Sequence, residues 1–427
     1  MKNNKKLKIL LSAFACHPNK GSESGIGWNW LKEIAKYNDV WILFNKQGQE
    51  KAVIEKIAKL PYKNNIHPIS IKLDKKYEKK IKIMYFFGNL FFGIPNNFIY
   101  HISSIYWQKK AYKVSRKIIK KEKIDLIHHV TYASWQPPSY LWKLNKPFFL
   151  GPISGAQKTP KEGYPFLTFR GKISEFIRTI SFVILWNLWY SPKNTIKKAK
   201  IVFVGNKETE KKIRKIRKKN QIILLNDVGI KKISKKKIIL KPKNKINLLW
   251  AGLIIPRKNF GLLLESLKRI PKEIKWKLNV AGEGPLLYYW KNKTKRYNLN
   301  KNISFLSQID YSKMDKQYKE ADIFVFPSMR EATGTVLVEA MSYGLPIISL
   351  NLHGARIVLN NNCAILISKK NKKQMIEDFS NAIIKLAQNP ELRKKMGEAG
   401  IKRAEKYFLW EKRGERMNRL YHKVLKK

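Results

Sequence analysis

The chain has 427 residues, enough for about two or three domains at the usual ~100–200 residues each. Its 44% hydrophobic and 12% aromatic content excludes disorder as the general state, and two cysteines, Cys16 and Cys363, exclude a disulfide scaffold and suit a reducing compartment. Lys plus Arg number 88 against 30 acidic residues, a formal net charge of +58 that attracts anionic surfaces and substrates of every kind.

The elements alternate along the chain. Lys2, Lys5, Lys6 and Lys8 precede an apolar run over 9–16, which imitates a signal peptide but reads as a buried first strand entering a glycine-rich turn. Strands are expected over 8–14, 40–44, 66–71, 126–130 and 147–150, with helices over 27–36 and 111–121. The second half continues with strands over 199–204 and 222–225 and a helix over 208–217. Four strand–helix units follow: 247–252 with 260–269, 276–282 with 286–297, 303–305 with 313–319, and 323–327 with 336–343. A strand over 346–350 closes the series, and 390–426 reads as amphipathic helix. Strands alternating with helices predict parallel sheets covered on both faces.

The fold class is therefore α/β, with two doubly wound Rossmann-like domains facing a cleft and a C-terminal helix crossing back to the first. The expected boundaries are 1–195, 196–395 and 396–427, with the lysine-rich stretch 235–245 part of the junction. Ligands of such sheets bind at the carboxyl ends of the strands. Two segments, 83–94 and 179–190, are apolar, aromatic and flanked by lysine, but too short for the ~20 residues of a spanning helix. Each reads either as surface docking or as ordinary buried helix. Lysine is spread along the whole chain among many asparagines, as a coding bias produces. A specific nucleic-acid binder needs a clustered basic patch with aromatics or a known module, and neither appears.

The chemistry concentrates in 326–348, FPSMREATGTVLVEAMSYGLPII. From Asp322 to Ala355 the only Lys or Arg is Arg330, so the segment is a buried strand, loop and helix. It nevertheless carries Glu331 and Glu339, and buried carboxylates need partners or protons. Gly334, Thr335 and Val336 open the following helix, where backbone N–H groups favour an anion. Arg257 and Lys258 follow a strand ending at Gly252, and a fixed cation pair suits a leaving diphosphate.

These blocks resemble retaining glycosyltransferases of the GT4 type, with the GT-B fold. The family pattern of Glu, seven residues, Glu, then a small-Gly-x-Pro turn reads here Glu331…Glu339…Gly344-Leu345-Pro346. WAGLIIPRKN at 250–259 resembles the loop that presents Arg-Lys to the donor diphosphate; VAGEGP at 280–285 and Leu306-Ser307-Gln308 resemble two further family loops. The likeness is strong over 200–400. More weakly, ACHPNKGSESGIGWNW at 15–30 resembles the glycine-rich first loop, with Gly21, Gly25 and Gly27 letting backbone approach the donor and Glu23 contacting the acceptor or holding the loop.

The resemblance implies transfer of a sugar from a nucleotide sugar with retention of configuration. It implies Arg257, Lys258 and the 334–335 amides on the diphosphate, Glu331 on the donor sugar, Glu339 on the ribose and Gln308 near the base. The aromatic, basic segments 83–107 and 166–190 suggest a glycan or lipid-linked, membrane-held acceptor, as suits surface polysaccharide synthesis at the cytoplasmic face. No cofactor and no metal are expected. One departure stands out: Gly151-Pro152-Ile153-Ser154-Gly155 replaces the segment that carries an active-site histidine in many such enzymes. His128, His129 and His17 are candidates for the cleft, each weighed against a structural histidine. Expected partners are the donor, the acceptor and an anionic membrane surface, with no specific nucleic acid. A nucleotide-sugar epimerase of the same fold and a basic nucleic-acid-binding protein are the alternatives.

Overall fold

The computed structural model describes residues 5–425 except 76, 82, 84–95, 235–244, 308 and 310–312. Most of the apolar segment 83–94 and of the junction 235–245 thus lies outside the described residues. The chain divides into two compact units, one of Met1–Ala156, Ile180–Asp227 and Trp410–Lys427, the other of Gln157–Thr179 and Val228–Leu409.

The first unit holds a seven-stranded parallel sheet of β1 (Lys8–Ala13), β2 (Asp39–Asn45), β3 (Ile66–Ile71), β4 (Leu126–Thr131), β5 (Phe148–Ile153), β6 (Ile201–Val204) and β7 (Ile222–Leu224), in the order β3-β2-β1-β4-β5-β6-β7. The apolar run after the N-terminal lysines is central strand β1, buried from Ile9 to Ala13. The C-terminal helix Trp410–Leu425 packs on this unit, as expected: Trp410 meets Trp30 of helix Ser22–Ala35 edge-on at 5.3 Å, and Tyr421 is fully buried.

The second unit holds β8 (Ile246–Ala251), β9 (Trp276–Ala281), β10 (Ile303–Phe305), β11 (Ile323–Phe326), β12 (Ile347–Leu350) and β13 (Ala364–Ile367), all parallel, in the order β10-β9-β8-β11-β12-β13. This is the doubly wound order, in which the winding reverses between two neighbouring strands. Here the reversal falls between β8 and β11.

The unit boundaries differ from the expected ones. The apolar strands β6 and β7 extend the first sheet beyond β5, with Leu150 opposite Val202, so the first unit runs to Asp227 rather than 195. Residues 157–179 leave that unit and pack on the second: Phe166 lies in its core, and Gly171 packs on Pro256. Helix Pro390–Tyr407 also stays with the second unit, so only residues from Trp410 onward return.

One glycine shows how tightly the first helix is seated. Helix Ser22–Ala35 begins five residues earlier than the predicted 27–36, so Gly25 and Gly27 lie inside it. A Cβ on Gly27 would stand 2.0 Å from the Ala15 carbonyl oxygen. Gly27→Ala should cost about 3 kcal/mol, because backbone on both sides must shift. Urea unfolding should show a lower midpoint at unchanged slope.

Candidate functional site

The second sheet places its functional residues by topology. Where winding reverses, the loops after two adjacent strands diverge to opposite faces and leave a crevice at the carboxyl ends. The loop after β8 carries Gly252, Arg257 and Lys258; the loop after β11 carries Ser328, Arg330 and Glu331. A single helical turn, Pro256–Lys258, aims the two cations, and Asn259 ends it at φ 53°. The loops are tied together: the Met329 N–H donates to the Arg257 carbonyl at 3.0 Å, and Ser328 Oγ to the same oxygen at 3.2 Å. The turn after β9 leans on this arrangement, since a Cβ on Gly282 (φ +148°) would sit 1.9 Å from the Gly252 oxygen.

The structure brings Arg257, Lys258 and Glu331 together. Arg257 Nη1 donates to Glu331 Oε1 at 2.5 Å, Lys258 Nζ at 2.6 Å and Ser328 Oγ at 2.8 Å. All three contacts fall on Oε1. Lys258 is buried, its ammonium 5.0 Å from the Phe326 ring centre. Burial pushes the Glu331 carboxyl up, but Arg257, Lys258 and the hydrogen bonds from Lys258 and Ser328 outweigh it and hold it down to about 2. Burial lowers the Lys258 pKa, which Arg257 lowers further against the pull of Glu331.

A second pair surrounds the first. Arg330 Nη2 donates to Glu175 Oε1 at 2.7 Å, while Thr159 Oγ1 donates to Oε2 at 2.5 Å. Arg178, which donates to the Gln157 carbonyl at 3.0 Å, is lowered to about 9, by burial first and then by Arg330. Four cations thus share a small region with two carboxylates, Glu175 and Glu331. That positive surplus can bind a dianion.

Of the other expected residues, Gly334 (φ +86°) caps helix Thr335–Ser342, whose first turn includes Thr335 and Val336. Glu339 on that helix accepts from Tyr318 Oη at 2.8 Å, and Tyr318 stacks on Tyr343 at 5.0 Å. Gln308 lies outside the described residues.

The first unit has its own reversal, between β1 and β4. Gly21 is the N-cap of helix Ser22–Ala35, and Glu23 reaches from that helix to accept from the Ala133 N–H beyond β4. Burial raises the Glu23 carboxyl to about 8, the Ala133 bond opposes this, and Asp227 adds to it. The folded state therefore holds this proton more tightly than the unfolded chain. The resulting stability is complete below 4.5 and disappears as pH rises from 4.5 to about 8. Glu23→Gln keeps the acceptor oxygen and cannot ionise. It should gain about 1–3 kcal/mol over the wild type at pH 8 and nothing at pH 4; urea titrations at the two pH values measure the difference.

The three candidate histidines, His17, His128 and His129, lie in the first unit. His128 is fully buried, Nδ1 against Tyr421 Oη at 2.5 Å and Nε2 against the Gly151 carbonyl at 2.7 Å. Both ring nitrogens serve packing, and burial lowers its pKa to about 3. His128 is thus a structural residue, and the expectation that it faces a cleft is corrected. His129 is buried beside Ser12 Oγ and Gln108 Nε2, each at 3.4 Å, and burial lowers it to about 4. The half-buried His17 accepts from the Asn19 N–H at 3.2 Å.

Sequence reasoning missed Glu175, Thr159, Arg178 and Ser328. It named no partner for Arg330, which the structure pairs with Glu175, 155 positions away. Only Ser328 carried a signal, three residues before Glu331 in the lysine-free segment.

The structure is that of a two-unit α/β protein with a cationic cluster at the strand reversal of its second sheet. Residues 231–403 match the family model of glycosyl transferases group 1. The fold is the GT-B fold, shared with solved glycosyltransferases over nearly the whole chain. An uncharacterised glycosyltransferase of Methanocaldococcus jannaschii is 27% identical over 71% of this chain and 76% of the relative. The amylovoran biosynthesis glycosyltransferase AmsD of Erwinia amylovora is 25% identical over 40% of this chain and 46% of the relative. Among solved structures, Anabaena HepE in complex with UDP superposes with a TM-score of 0.62, at 12% identity, over 98% of this chain and 100% of that one. Among the described residues, no helix is long and apolar enough to cross a membrane.

Proposed function

We propose that this protein moves a sugar from a nucleotide-sugar donor to a glycan or lipid-linked acceptor with retention of configuration. The assigned role is a step of surface polysaccharide assembly at the cytoplasmic face of a membrane. The observation that carries the reading is Arg257 and Lys258 sharing one oxygen of Glu331 at the strand reversal. The likeness to AmsD and to a UDP-bound structure supports it.

In this reading the donor diphosphate meets the surplus positive charge around Arg257, Lys258 and the Gly334–Thr335 amides, which do the work of a metal ion. The bond from the anomeric carbon to the diphosphate oxygen breaks, and a bond to the acceptor oxygen forms on the same face. The acceptor proton passes to the departing diphosphate, whose growing charge the two cations stabilise. Glu331 keeps Oε2 outside its three contacts, and that oxygen is the one to take a donor hydroxyl. Glu339, beside Tyr318, takes the ribose. The test is proton NMR of a nucleotide-sugar panel incubated with glycan and lipid-linked acceptors. Acceptor-dependent release of nucleoside diphosphate, with the donor's anomeric configuration in the product, is expected. Epimerisation on the nucleotide, or no turnover of any donor, would refute the reading.

A further inference from the structure

Helix Phe169–Leu188 buries one face and leaves an apolar stripe on the other. One face is buried, through Glu175, Phe182 and Trp186. The other leaves Phe169 77%, Phe176 60% and Leu188 79% exposed, with Ile173, Ile180 and Ile184 each above 40% between them. Their spacing of three or four residues puts these six side chains on one stripe, about five turns long. Among the described residues, nine of the fifteen exposed large hydrophobics lie between 169 and 190, and the other six are scattered. An exposed apolar stripe of this length marks an interaction surface.

We infer that this stripe is a docking surface for an anionic lipid bilayer, on which the helix lies parallel to the membrane plane. Charge selects this occupant over a second copy of the chain. Between 163 and 207 the only acidic residue is Glu175, on the buried face, whereas Arg170 and Lys172 flank the start of the stripe and Lys197 and Lys198 follow its end. A second copy would bring another net +58 against the first, while anionic lipid supplies the opposite sign. The helix lies on the membrane rather than crossing it, since with Arg170, Lys172, Glu175 and Arg178 it is not apolar enough to span. The inference deepens the proposal of a membrane-held acceptor by naming the surface that would bring the enzyme to it.

The test is flotation of the full chain with phosphatidylcholine vesicles, with and without phosphatidylglycerol, at low and raised salt. Raised salt screens diffuse attraction and leaves apolar insertion. The wild type should float with the anionic vesicles at both salt concentrations. The triple variant F176S/I180S/I184S should lose binding at raised salt on the order of a hundredfold. The control I54S/Y288S/Y407S, altered at exposed residues elsewhere, should bind as the wild type does. Three results would overturn the inference: a wild type that stays with the pellet, a triple variant that floats like the wild type, or a wild-type dimer by light scattering that the triple variant dissolves without lipid. Thermal stabilisation by nucleoside diphosphates, measured on the same proteins, separates the two proposals. If it survives while flotation fails, only the docking surface is wrong; if flotation holds and it is absent, only the transferase reading is wrong.

Discussion

Arg257→Ala should lower kcat/KM for transfer by about 10²–10³-fold, with most of the loss in kcat, because the cation meets more charge in the transition state than in the bound donor. The same substitution also bears on the fold, and the two effects separate. With Arg257 gone, Lys258 still neutralises Glu331 at 2.6 Å, so stability should fall by only about 1 kcal/mol. Removing both cations strands a buried carboxylate and should cost about 3–5 kcal/mol. Glu331→Gln added to that double variant should restore most of the stability and none of the activity. The pH dependence has a defined sign. The folded-state pKa of Glu331 is depressed from 4.5 to about 2, so its contribution is complete above 4.5 and is lost as pH falls toward 2. Guanidinium titrations at pH 7 and pH 3 check this, alongside steady-state kinetics.

Arg330→Ala should be the most destabilising single substitution of the site, at about 3–5 kcal/mol. Glu175, 4% exposed, would keep Thr159 and the charge of Arg178 but lose its ion pair. Burial raises the Glu175 carboxyl, but Arg330 overrides it and keeps it below the ordinary value. An uncharged pair, Glu175→Gln with Arg330→Met, should recover most of the loss, giving a coupling of about 2 kcal/mol in a double-mutant cycle. If the two single substitutions simply add, the pair does not hold residues 157–179 on the second unit.

The second sheet was legible because its strands are short apolar runs between turn residues, and loss of lysine marked where the chain turns inward. The carboxylates of that segment stood out for the same reason. Three features were illegible, each for a physical cause. Segment 157–179 joins the second unit through Glu175 and Arg330, and no local periodicity encodes a partner 155 positions away. The boundary expected at 195 failed because β6 looks the same whether it starts a new sheet or extends the old one. His128 sits in β4, where every residue from Leu126 to Thr131 is buried, so alternation gives no hint of which side chain faces an opening. Its partner, Tyr421, arrives on the last helix, 293 positions later.

The central claim is that Arg257 and Lys258 hold a nucleoside diphosphate at the carboxyl ends of β8 and β11. The most direct measurement is thermal unfolding of the wild type and Arg257→Ala with UDP, GDP and ADP at fixed ionic strength, with inorganic pyrophosphate as the charge control. One nucleotide at about 100 times its dissociation constant should stabilise the wild type by ~2.7 kcal/mol and the variant by far less. Equal stabilisation of both proteins by every polyanion would contradict the claim, reducing the site to bulk charge on a +58 chain.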